Sequence, residues 1–510
     1  MIARFAALLA GCAPDPGPAP VGCADPAARE DGWFDTIALP GEAADTHRFW
    51  GAGLAAFDVD LDGDQDLLIP GPDSARLLIN DGHGGFADGP TPPGDYERAV
   101  GASVADMDAD GDLDAYVSRW GPPGVLLRND AGTLTDVTSA AGLAVDAHAQ
   151  SSAWADVDLD GDLDLLVAGH GPIDDSGDQI VIPGPGDPSR LWLNDGSGTF
   201  TDGSARIPNR MHDAYTFVVT FAALDDDPVP DLLMSNDYPV WESGLAAIGG
   251  PAEFAVDAGL GLNVRAAGMG LAAGDWNDDG VEDFLVPVWD RLEARASTAG
   301  VWVDATEALG FTLPPRTETW VGWGAELADL DLDGDLDAVV AFGHLDVASS
   351  LTAGGVESAN ALDQPGLVYL NEDGTFVERT AQIGLDWRGT SRGFVVTDLD
   401  GNGFPDIARR DLDGPITIHL ARCDASSWIA VEFADPVAAV GAVVDLTTNG
   451  RVQRRTVHAG GTSLASATAP RLLFGSSGAH PIDSIEVAWP DGASTSATVP
   501  GWRTTAVVDR

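Results

Sequence analysis

The sequence predicts an all-β protein, with a seven-bladed β-propeller over residues 31–423 and a small β-sandwich-like domain over residues 424–510. An acidic loop motif occurs in seven copies along the chain, and a hairpin phrase follows several of them. Glycine and proline, with 62 and 33 residues, make up nearly a fifth of the 510 residues. A repeat of about 50 residues made of short strands and tight turns is typical of a four-stranded propeller blade.

The charge of the chain excludes several classes of partner. It contains 81 acidic and 26 basic residues, all of the latter arginine, for a formal net charge of −55. Nucleic acids and anionic membrane surfaces are bound through basic patches, so neither is an expected partner. Intrinsic disorder is also excluded, because 44% of the residues are hydrophobic and 15 are tryptophan.

The repeated motif has aspartate at relative positions 1, 3, 5, 7 and 9 and glycine at position 6, and an apolar strand follows it. We number its copies loop 1 to loop 7 in chain order. Four copies are complete: Asp58, Asp60, Asp62, Asp64 and Asp66 in loop 1, Asp106, Asp108, Asp110, Asp112 and Asp114 in loop 2, Asp156, Asp158, Asp160, Asp162 and Asp164 in loop 3, and Asp329, Asp331, Asp333, Asp335 and Asp337 in loop 6. Two copies vary at some positions: Asp275, Asn277, Asp279, Val281 and Asp283 in loop 5, and Asp398, Asp400, Asn402, Phe404 and Asp406 in loop 7. In loop 4, Ala223 replaces the first aspartate and Pro228 replaces the glycine.

The ligand types and their spacing indicate calcium. Ca²⁺ takes about six to eight oxygen ligands in flexible geometry, with glycine where the chain turns sharply. Side chains at positions 1, 3 and 5 would converge on the ion, the backbone carbonyl at position 7 would add an oxygen, and the carboxylate at position 9 would close the site. Without an ion these carboxylates would repel one another.

We therefore expect about six Ca²⁺ ions, one in each loop except loop 4. Loop 4 should keep the fold of its repeat but bind metal weakly or not at all. Mg²⁺ is the less suitable ion, because it demands stricter octahedral geometry.

The ends of the repeat region predict how the ring closes. Residues 33–37 look like the closing strand of a repeat, but no acidic loop precedes them. The last repeat has its loop and a strand over residues 416–420 but no closing phrase. We expect the N-terminal strand to complete blade seven, since an open ring would leave two unpaired edges.

The loops and their flanks resemble the FG-GAP/VCBS repeats of integrin α-chain propellers and of cartilage acidic protein-like bacterial proteins. The matching phrases are Gly268-Met269-Gly270 before loop 5, Gly322-Trp323-Gly324 before loop 6, Gly343-His344 after it, and Arg392-Gly393 before loop 7. This resemblance implies integrin α-like calcium loops on a propeller. The C-terminal stretch is similar to the ASPIC/UnbV domain, for example at Ala459-Gly460-Gly461, but departs from it at Thr462-Ser463, where a tyrosine is more usual.

The N-terminus has the layout of an export signal, with a short basic stretch, an apolar stretch and then Leu9-Ala10-Gly11-Cys12. These four residues resemble the lipobox of bacterial lipoproteins. We predict a signal over residues 1–12 with lipidation of Cys12, and a flexible linker over residues 13–30; an ordinary secretory signal is the alternative. The protein is then exported, as an outer-membrane or cell-surface lipoprotein or in secreted form, and it meets the membrane only through this lipid anchor.

Cys23 and Cys423 flank the two strands that are expected to close the ring. An oxidising compartment favours a disulfide between them, which would latch the propeller. Two buried free thiols are the alternative.

We recognise no set of catalytic residues in the sequence. The rims of propellers, in contrast, offer broad surfaces built from loops, which suit binding. We therefore predict a calcium-binding cell-envelope or secreted protein that serves as a binding or adhesion module for an unidentified protein or polysaccharide. The alternative is an extracellular carbohydrate-active hydrolase or lyase with His170 or His344 at its site, because both follow glycine at the end of a strand after an acidic loop. A mainly structural envelope component is a third class.

Overall fold

The computed structural model describes residue 29 and residues 32–39, 51–71, 74–171, 185–225, 227–238, 245–250, 252–316, 319–344, 363–385, 387–412, 414–478 and 480–510. The predicted signal, Cys12, Cys23 and nearly all of the predicted linker lie outside these residues. No helix among them is long and apolar enough to cross a membrane. Their helices are single turns, at Thr138–Ala141, Ser204–Arg206, Asn209–His212, Ala258–Leu260 and Pro436–Ala439.

Each acidic loop joins the first two strands of a group of four antiparallel strands, and we call these groups repeat 1 to repeat 7 after their loops. Repeats 2 and 3 are joined into one larger sheet, because residues 147–148 pair with residues 120–121. Repeat 1 contains Ala55–Phe57, Asp66–Ile69, Arg76–Asn80 and Phe86–Asp88. Repeat 2 contains Ala99–Ala105, Asp114–Gly121, Val125–Asp130 and Thr133–Asp136. Repeat 3 contains Ala147–Ala155, Asp164–Gly169, Arg190–Asn194 and Phe200–Asp202. Repeat 4 contains Thr216–Ala222, Asp231–Asn236, Leu245–Ile248 and Ala255–Val256.

The remaining repeats follow the same order. Repeat 5 contains Ala272–Gly274, Asp283–Val288, Arg291–Thr298 and Val301–Asp304. Repeat 6 contains Gly322–Ala328, Asp337–Phe342, Leu367–Glu372 and Thr375–Glu378, beside a small pair formed by Gln364–Pro365 and Arg388–Gly389. Repeat 7 contains Ser391–Thr397, Asp406–Asp411 and Ile416–Ala421, with Phe34–Leu39 as its fourth strand. The second strand of each repeat is buried along nearly all of its length, and in repeats 1, 3 and 6 it is apolar after its first aspartate, as expected of a strand covered on both faces.

Three kinds of contact join the ends of this β-propeller. Phe34–Leu39 pairs antiparallel with Ile416–Ala421, so the N-terminal strand completes repeat 7, as predicted. Within the predicted linker, Arg29 is held in place, because its guanidinium donates to the carbonyl oxygens of Arg422 at 2.7 Å and Leu330 at 3.1 Å. The first strand of repeat 1 contacts the first strand of repeat 7.

A segment of the C-terminal region, residues 457–469, passes through the centre of the propeller. Its strands Ala459–Gly460 and Ala467–Thr468 pair with the first strands of repeats 3 and 1. Between them, the Ser463 N–H donates to the Ala325 carbonyl of repeat 6 at 3.0 Å, and the Ala465 carbonyl accepts the Ala102 N–H of repeat 2 at 3.1 Å. We call residues 457–469 the channel segment.

Two glycines, one just before the first strand of repeat 1 and one within the first strand of repeat 2, make room for the channel segment. A methyl group on Gly53 or on Gly101 would overlap the carbonyl oxygen of Ala465. Glycine at these two positions therefore reflects close approach of another backbone.

The rest of the C-terminal region forms two packed sheets. One contains Leu472–Ser476, Ser427–Phe433 and Thr504–Val508, and the other contains Arg451–Thr456, Val443–Thr448, Ile482–Ala488 and Ser494–Ser496. Buried side chains from both sheets, including Ile429, Phe474, Val444 and Ile485, form one core. This is the β-sandwich-like arrangement that the alternating strands predict.

Candidate metal centres

The acidic loops share a backbone conformation that folds each loop over its first aspartate. In loop 1, the Asp58 carboxylate accepts the N–H groups of Asp62 and Gly63 at 3.1 and 2.9 Å. The same two bonds recur in loops 2, 3, 5 and 6. Position 6 is left-handed, as its glycine predicts, with a φ of 100° at Gly63. Position 4 is left-handed as well, with a φ of 61° at Leu61, which the motif does not reveal because glycine stands there only in loop 7, as Gly401.

Carboxylates converge in five of the loops within the described part of the chain. In each loop, three side chains offer oxygen atoms that all lie within 4.8 Å of one another: Asp58, Asp60 and Asp62; Asp106, Asp108 and Asp114; Asp156, Asp158 and Asp164; Asp329, Asp331 and Asp333; and Asp398, Asp400 and Asp406. Two oxygens bound to one Ca²⁺ at about 2.4 Å are at most about 4.8 Å apart. The donor sets therefore fit a single hard cation in each of these loops.

The buried carboxyl groups of the loops have raised pKa values. Burial, reinforced by neighbouring carboxylates, raises the pKa of Asp58 and Asp106 to about 6. Burial also raises the pKa of Asp114 and Asp329 to about 8. Carboxyl groups held together in this way bind either protons or a cation. A divalent ion would offset their repulsion and keep them ionised.

The aspartate at position 9 anchors the loop to its sheet. Asp66 accepts the N–H of Val59 at 3.0 Å and that of Asn80 at 2.8 Å, which ties the start of loop 1 to the third strand of repeat 1. Equivalent backbone bonds reach Asp114, Asp164, Asp283, Asp337 and Asp406. Loop 4 keeps both bonds at Asp231. Its repeat therefore keeps the common fold without the first aspartate or the glycine, as predicted.

Loop 5 is organised differently from the five clustered loops, because Asn277 stands at position 3. The Asn277 amide nitrogen donates to Asp283 at 3.2 Å, and its carbonyl oxygen accepts the Asp279 N–H at 2.9 Å. The Asp279 carboxylate also accepts the Ser297 hydroxyl at 2.6 Å. Loop 5 thus satisfies part of its donor set internally, and the count of six ions stays a prediction.

Position 7 has varied surroundings. The Asp112 carboxylate accepts the Ala131 N–H at 2.7 Å, and Asp335 pairs with Arg451. Val281 and Phe404 have apolar side chains, so that only their carbonyl oxygens are suited to a cation. The role of the position 7 carbonyl as a ligand stays a prediction.

Arginines of the C-terminal domain bind several of the loops, which the sequence does not reveal. Arg451 donates to Asp278 at 2.9 Å and to Asp335, and so bridges loops 5 and 6. Arg454 donates to the Gly280 carbonyl at 2.7 Å. Arg471 donates to Asp398 of loop 7 at 3.3 Å. These guanidinium groups hold the C-terminal domain against the loop face of the propeller.

The two histidines of the alternative hypothesis have different surroundings. His170 is fully buried, with its ring 4.6 Å from Phe217 and 5.3 Å from Tyr215 between centroids, and its Nε2 lies 3.8 Å from Asp237. His344 is half-buried, 6.1 Å from the ring of Trp289, which is 40% exposed. The two side chains are therefore not equivalent in accessibility, although they occupy matching positions in repeats 3 and 6.

Cys423 forms a disulfide. Cys12 and Cys23, the other two cysteines of the chain, lie outside the described residues. The pairing of Cys23 with Cys423 stays a prediction, as does the lipidation of Cys12.

Groups of four antiparallel strands around a central channel, with acidic loops between their first two strands, define a β-propeller protein. Comparison with protein families agrees: the FG-GAP-like repeat matches residues 58–117, and the ASPIC and UnbV domain matches residues 434–509. The chain therefore carries both domains that its sequence motifs resemble.

The chain is also similar in sequence to individual proteins, at identities below 30%. Human cartilage acidic protein 1 is 28% identical over 254 residues, which cover 48% of this chain and 36% of that protein. Cartilage acidic protein 1 of Mus musculus is 29% identical over 244 residues, covering 46% of this chain and 35% of that protein. The chain thus matches about a third of the length of these relatives. Among solved structures, YCF48 bound to D1 peptide is 9% identical with a TM-score of 0.43, covering 77% of this chain and 96% of that chain.

Proposed function

We propose that this protein is an exported, calcium-dependent binding module whose seven-bladed propeller carries about six Ca²⁺ ions. The observation that supports it most is the convergence of three carboxylates in each of five loops. Seven successive groups of four antiparallel strands, with the N-terminal strand in the last, support the blade number. The ions would stabilise loops whose carboxyl groups are otherwise costly to hold together.

Calcium would also support the attachment of the C-terminal domain. Arg451, Arg454 and Arg471 bind residues of loops 5, 6 and 7, so the geometry of those loops sets where the domain sits. A rigid loop face and a rigid domain would present fixed surfaces to a protein or polysaccharide ligand outside the cytoplasm.

Metal analysis and calorimetry test the calcium proposal. Protein equilibrated with Ca²⁺ and freed of unbound ion should retain about six ions per chain, and chelation should lower the melting temperature. Absence of bound ions together with a melting temperature that ignores the chelator would overturn it. Protein and glycan arrays, probed with and without Ca²⁺, then test the binding role.

The alternative function, a carbohydrate-active hydrolase or lyase, draws support from the half-buried His344 beside the exposed ring of Trp289. An exposed aromatic ring is a suitable surface for stacking against a sugar. Turnover of a polysaccharide panel that is lost in His344→Ala, while calcium content is unchanged, would favour this alternative over the binding module.

A further inference from the structure

A cleft of about 1010 Å³ separates part of the C-terminal domain from the propeller. Loops 3 and 4 form one wall, and the Pro436–Ala439 helix and residues 488–492 form the other. On the propeller wall, Leu159 is 45% exposed and lines the cleft together with Pro228 and Val229. Val437 and Val443 add apolar surface from the opposite wall. We call this space the loop-4 cleft.

The charged lining of the loop-4 cleft is mainly acidic, and His458, which also lines it, is paired with Glu282. Asp225 and Asp227 of loop 4 reach it from the propeller, and Asp435 reaches it from the C-terminal domain; all three are exposed. Within the described part of the chain, no arginine or histidine forms an ion pair with these three carboxylates. Asp491 also lines the cleft, and Arg510 is its partner. Because loop 4 lacks the first aspartate and the turn glycine, we expect Asp225 and Asp227 to bind metal weakly or not at all.

Arginine side chains of the C-terminal domain bind the acidic loops at other positions around the propeller. The C-terminal domain places a guanidinium on loop 5, on loop 6 and on loop 7, through Arg451, Arg454 and Arg471. At loop 4, by contrast, the cleft lies between the loop and the C-terminal domain. The aliphatic stem of an arginine or lysine would pack on the apolar walls while its charged end meets the carboxylates.

We propose that the loop-4 cleft binds an arginine- or lysine-bearing segment of a partner protein, with Asp225, Asp227 and Asp435 as the recognition carboxylates. This inference rests on the proposed binding function and names the chemistry of its ligand. The net charge of −55 would speed the approach of such a basic segment, but the three carboxylates and the apolar walls would decide where it binds.

Fluorescence anisotropy with a labelled hexa-arginine peptide tests the proposal on the full, calcium-loaded chain. The triple variant Asp225→Asn, Asp227→Asn, Asp435→Asn keeps acceptors for the backbone bonds of all three side chains but removes their charge. We expect its affinity for the peptide to fall about tenfold or more. The matched control Asp146→Asn, Glu307→Gln, Asp373→Asn removes the same charge from exposed sites outside the cleft and should change the affinity less than about twofold.

A second pair of variants adds a cation instead of removing acids. Ala223 is exposed and lines the cleft, so Ala223→Arg should occupy it and weaken peptide binding, whereas Ala144→Arg, exposed outside the cleft, should not. Equal losses in the cleft and control variants would overturn the proposal, because the peptide would then respond to overall charge only. Dissociation of a dimer in the cleft variants, seen by analytical ultracentrifugation, would also overturn it by identifying a second copy of this chain as the occupant.

Calcium content and melting temperature are measured on the same variants. We expect the variants to bind calcium as the parent chain does and to melt at a lower temperature when calcium is removed. In that case, a failure of the parent chain to bind hexa-arginine rejects the proposal for the loop-4 cleft but does not contradict the proposed calcium-dependent function. If the parent chain binds no calcium and its melting temperature does not change on chelation, the proposed function itself is rejected.

Discussion

The side-chain amide of Asn80 donates to the carbonyl oxygen of Leu399 at 2.7 Å, across 319 residues of sequence. Asn80 ends the third strand of repeat 1, and Leu399 is at position 2 of loop 7. Three other asparagines make the same bond to position 2 of the preceding loop, in the pairs Asn129 with Val59, Asn194 with Met107, and Asn371 with Trp276. The bond that links neighbouring repeats therefore also links the first repeat to the last.

Removing this amide should weaken ring closure. Asn80 is 4% exposed, so Asn80→Ala leaves the Leu399 carbonyl without its buried donor. We expect the free energy of unfolding to fall by about 1–3 kcal/mol. Urea unfolding of the calcium-loaded protein measures this, with the exposed Asn209→Ala as control. Equal stability of the two variants would contradict the inter-repeat role of Asn80.

Metal content should depend on loops 2 and 4 differently. Asp108→Ala removes a converging oxygen ligand from loop 2, and we expect the chain to lose one Ca²⁺. Alanine is chosen because loop 5 has asparagine at this position and is still expected to bind an ion. Asp225→Ala makes the same change at position 3 of loop 4, and the ion count should stay constant. Elemental analysis of the two purified variants distinguishes them. A loss of one ion in Asp225→Ala would show that loop 4 binds metal after all.

The stability of the metal-free protein should fall as the pH rises. Burial raises the pKa of Asp114, Asp283 and Asp329 from 3.8 to about 8, so between these values the folded chain binds protons that the unfolded chain has released. Stability is then greatest below pH 3.8 as far as these groups decide it, and is lost as the pH rises through about 8. Ca²⁺ competes with those protons, so its stabilising effect should grow with pH.

Melting temperatures with chelator and with Ca²⁺, recorded from about pH 5 to about pH 9, measure that effect. Asp231→Asn changes the equivalent residue of loop 4, where we expect no ion. The increase of the calcium effect with pH should therefore be the same in this control variant as in the parent chain. A difference between the two conditions that is constant or shrinks with rising pH would rule out competition at these carboxyls.

Packing of the channel segment should be sensitive to a single methyl group. Gly101→Ala would place a methyl on the carbonyl oxygen of Ala465, so that either residues 457–469 or the Ala99–Ala105 strand must shift, and we expect residues 457–469 to move. Overpacking of this kind costs about 1–3 kcal/mol. Hydrogen exchange should therefore speed up in the channel segment, whereas the exposed substitution Ala144→Val should leave it protected. Unchanged exchange in Gly101→Ala would mean that the strand adjusts instead.

The partner of Cys423 can be identified chemically. If Cys23 is the partner, Cys23→Ser should release one free thiol at Cys423 in the unfolded, non-reduced protein, and stability should fall by about 2–4 kcal/mol. Peptide mapping by mass spectrometry detects both the bond and the freed thiol. A Cys23→Ser protein in which Cys423 remains bonded would assign the disulfide to Cys12.

The repeated loop could be predicted because its chemistry is local. Asp58, Asp60 and Asp62 alternate within five residues, so a single turn brings their carboxylates together wherever the loop lies in the fold. Ring closure could also be predicted, because the first strand lacks a loop and the last repeat lacks a strand. The left-handed residue at position 4 was missed because Leu61 and its equivalents do not favour that conformation by themselves.

Patterns in the sequence were sufficient to predict the all-β class, the repeat, the acidic loops and the N-terminal strand that closes the propeller, since each depends on residues close together or on an unpaired strand at each end. The folded chain was needed to show that residues 457–469 cross the channel, that Arg451 and Arg471 hold the C-terminal domain on the loops, and that a cleft remains over loop 4. These features join residues that are more than 70 positions apart in the chain. These contacts depend on complementary shape and charge between the propeller and the C-terminal domain, and the repeat pattern of the sequence contains no information about how the two surfaces fit together.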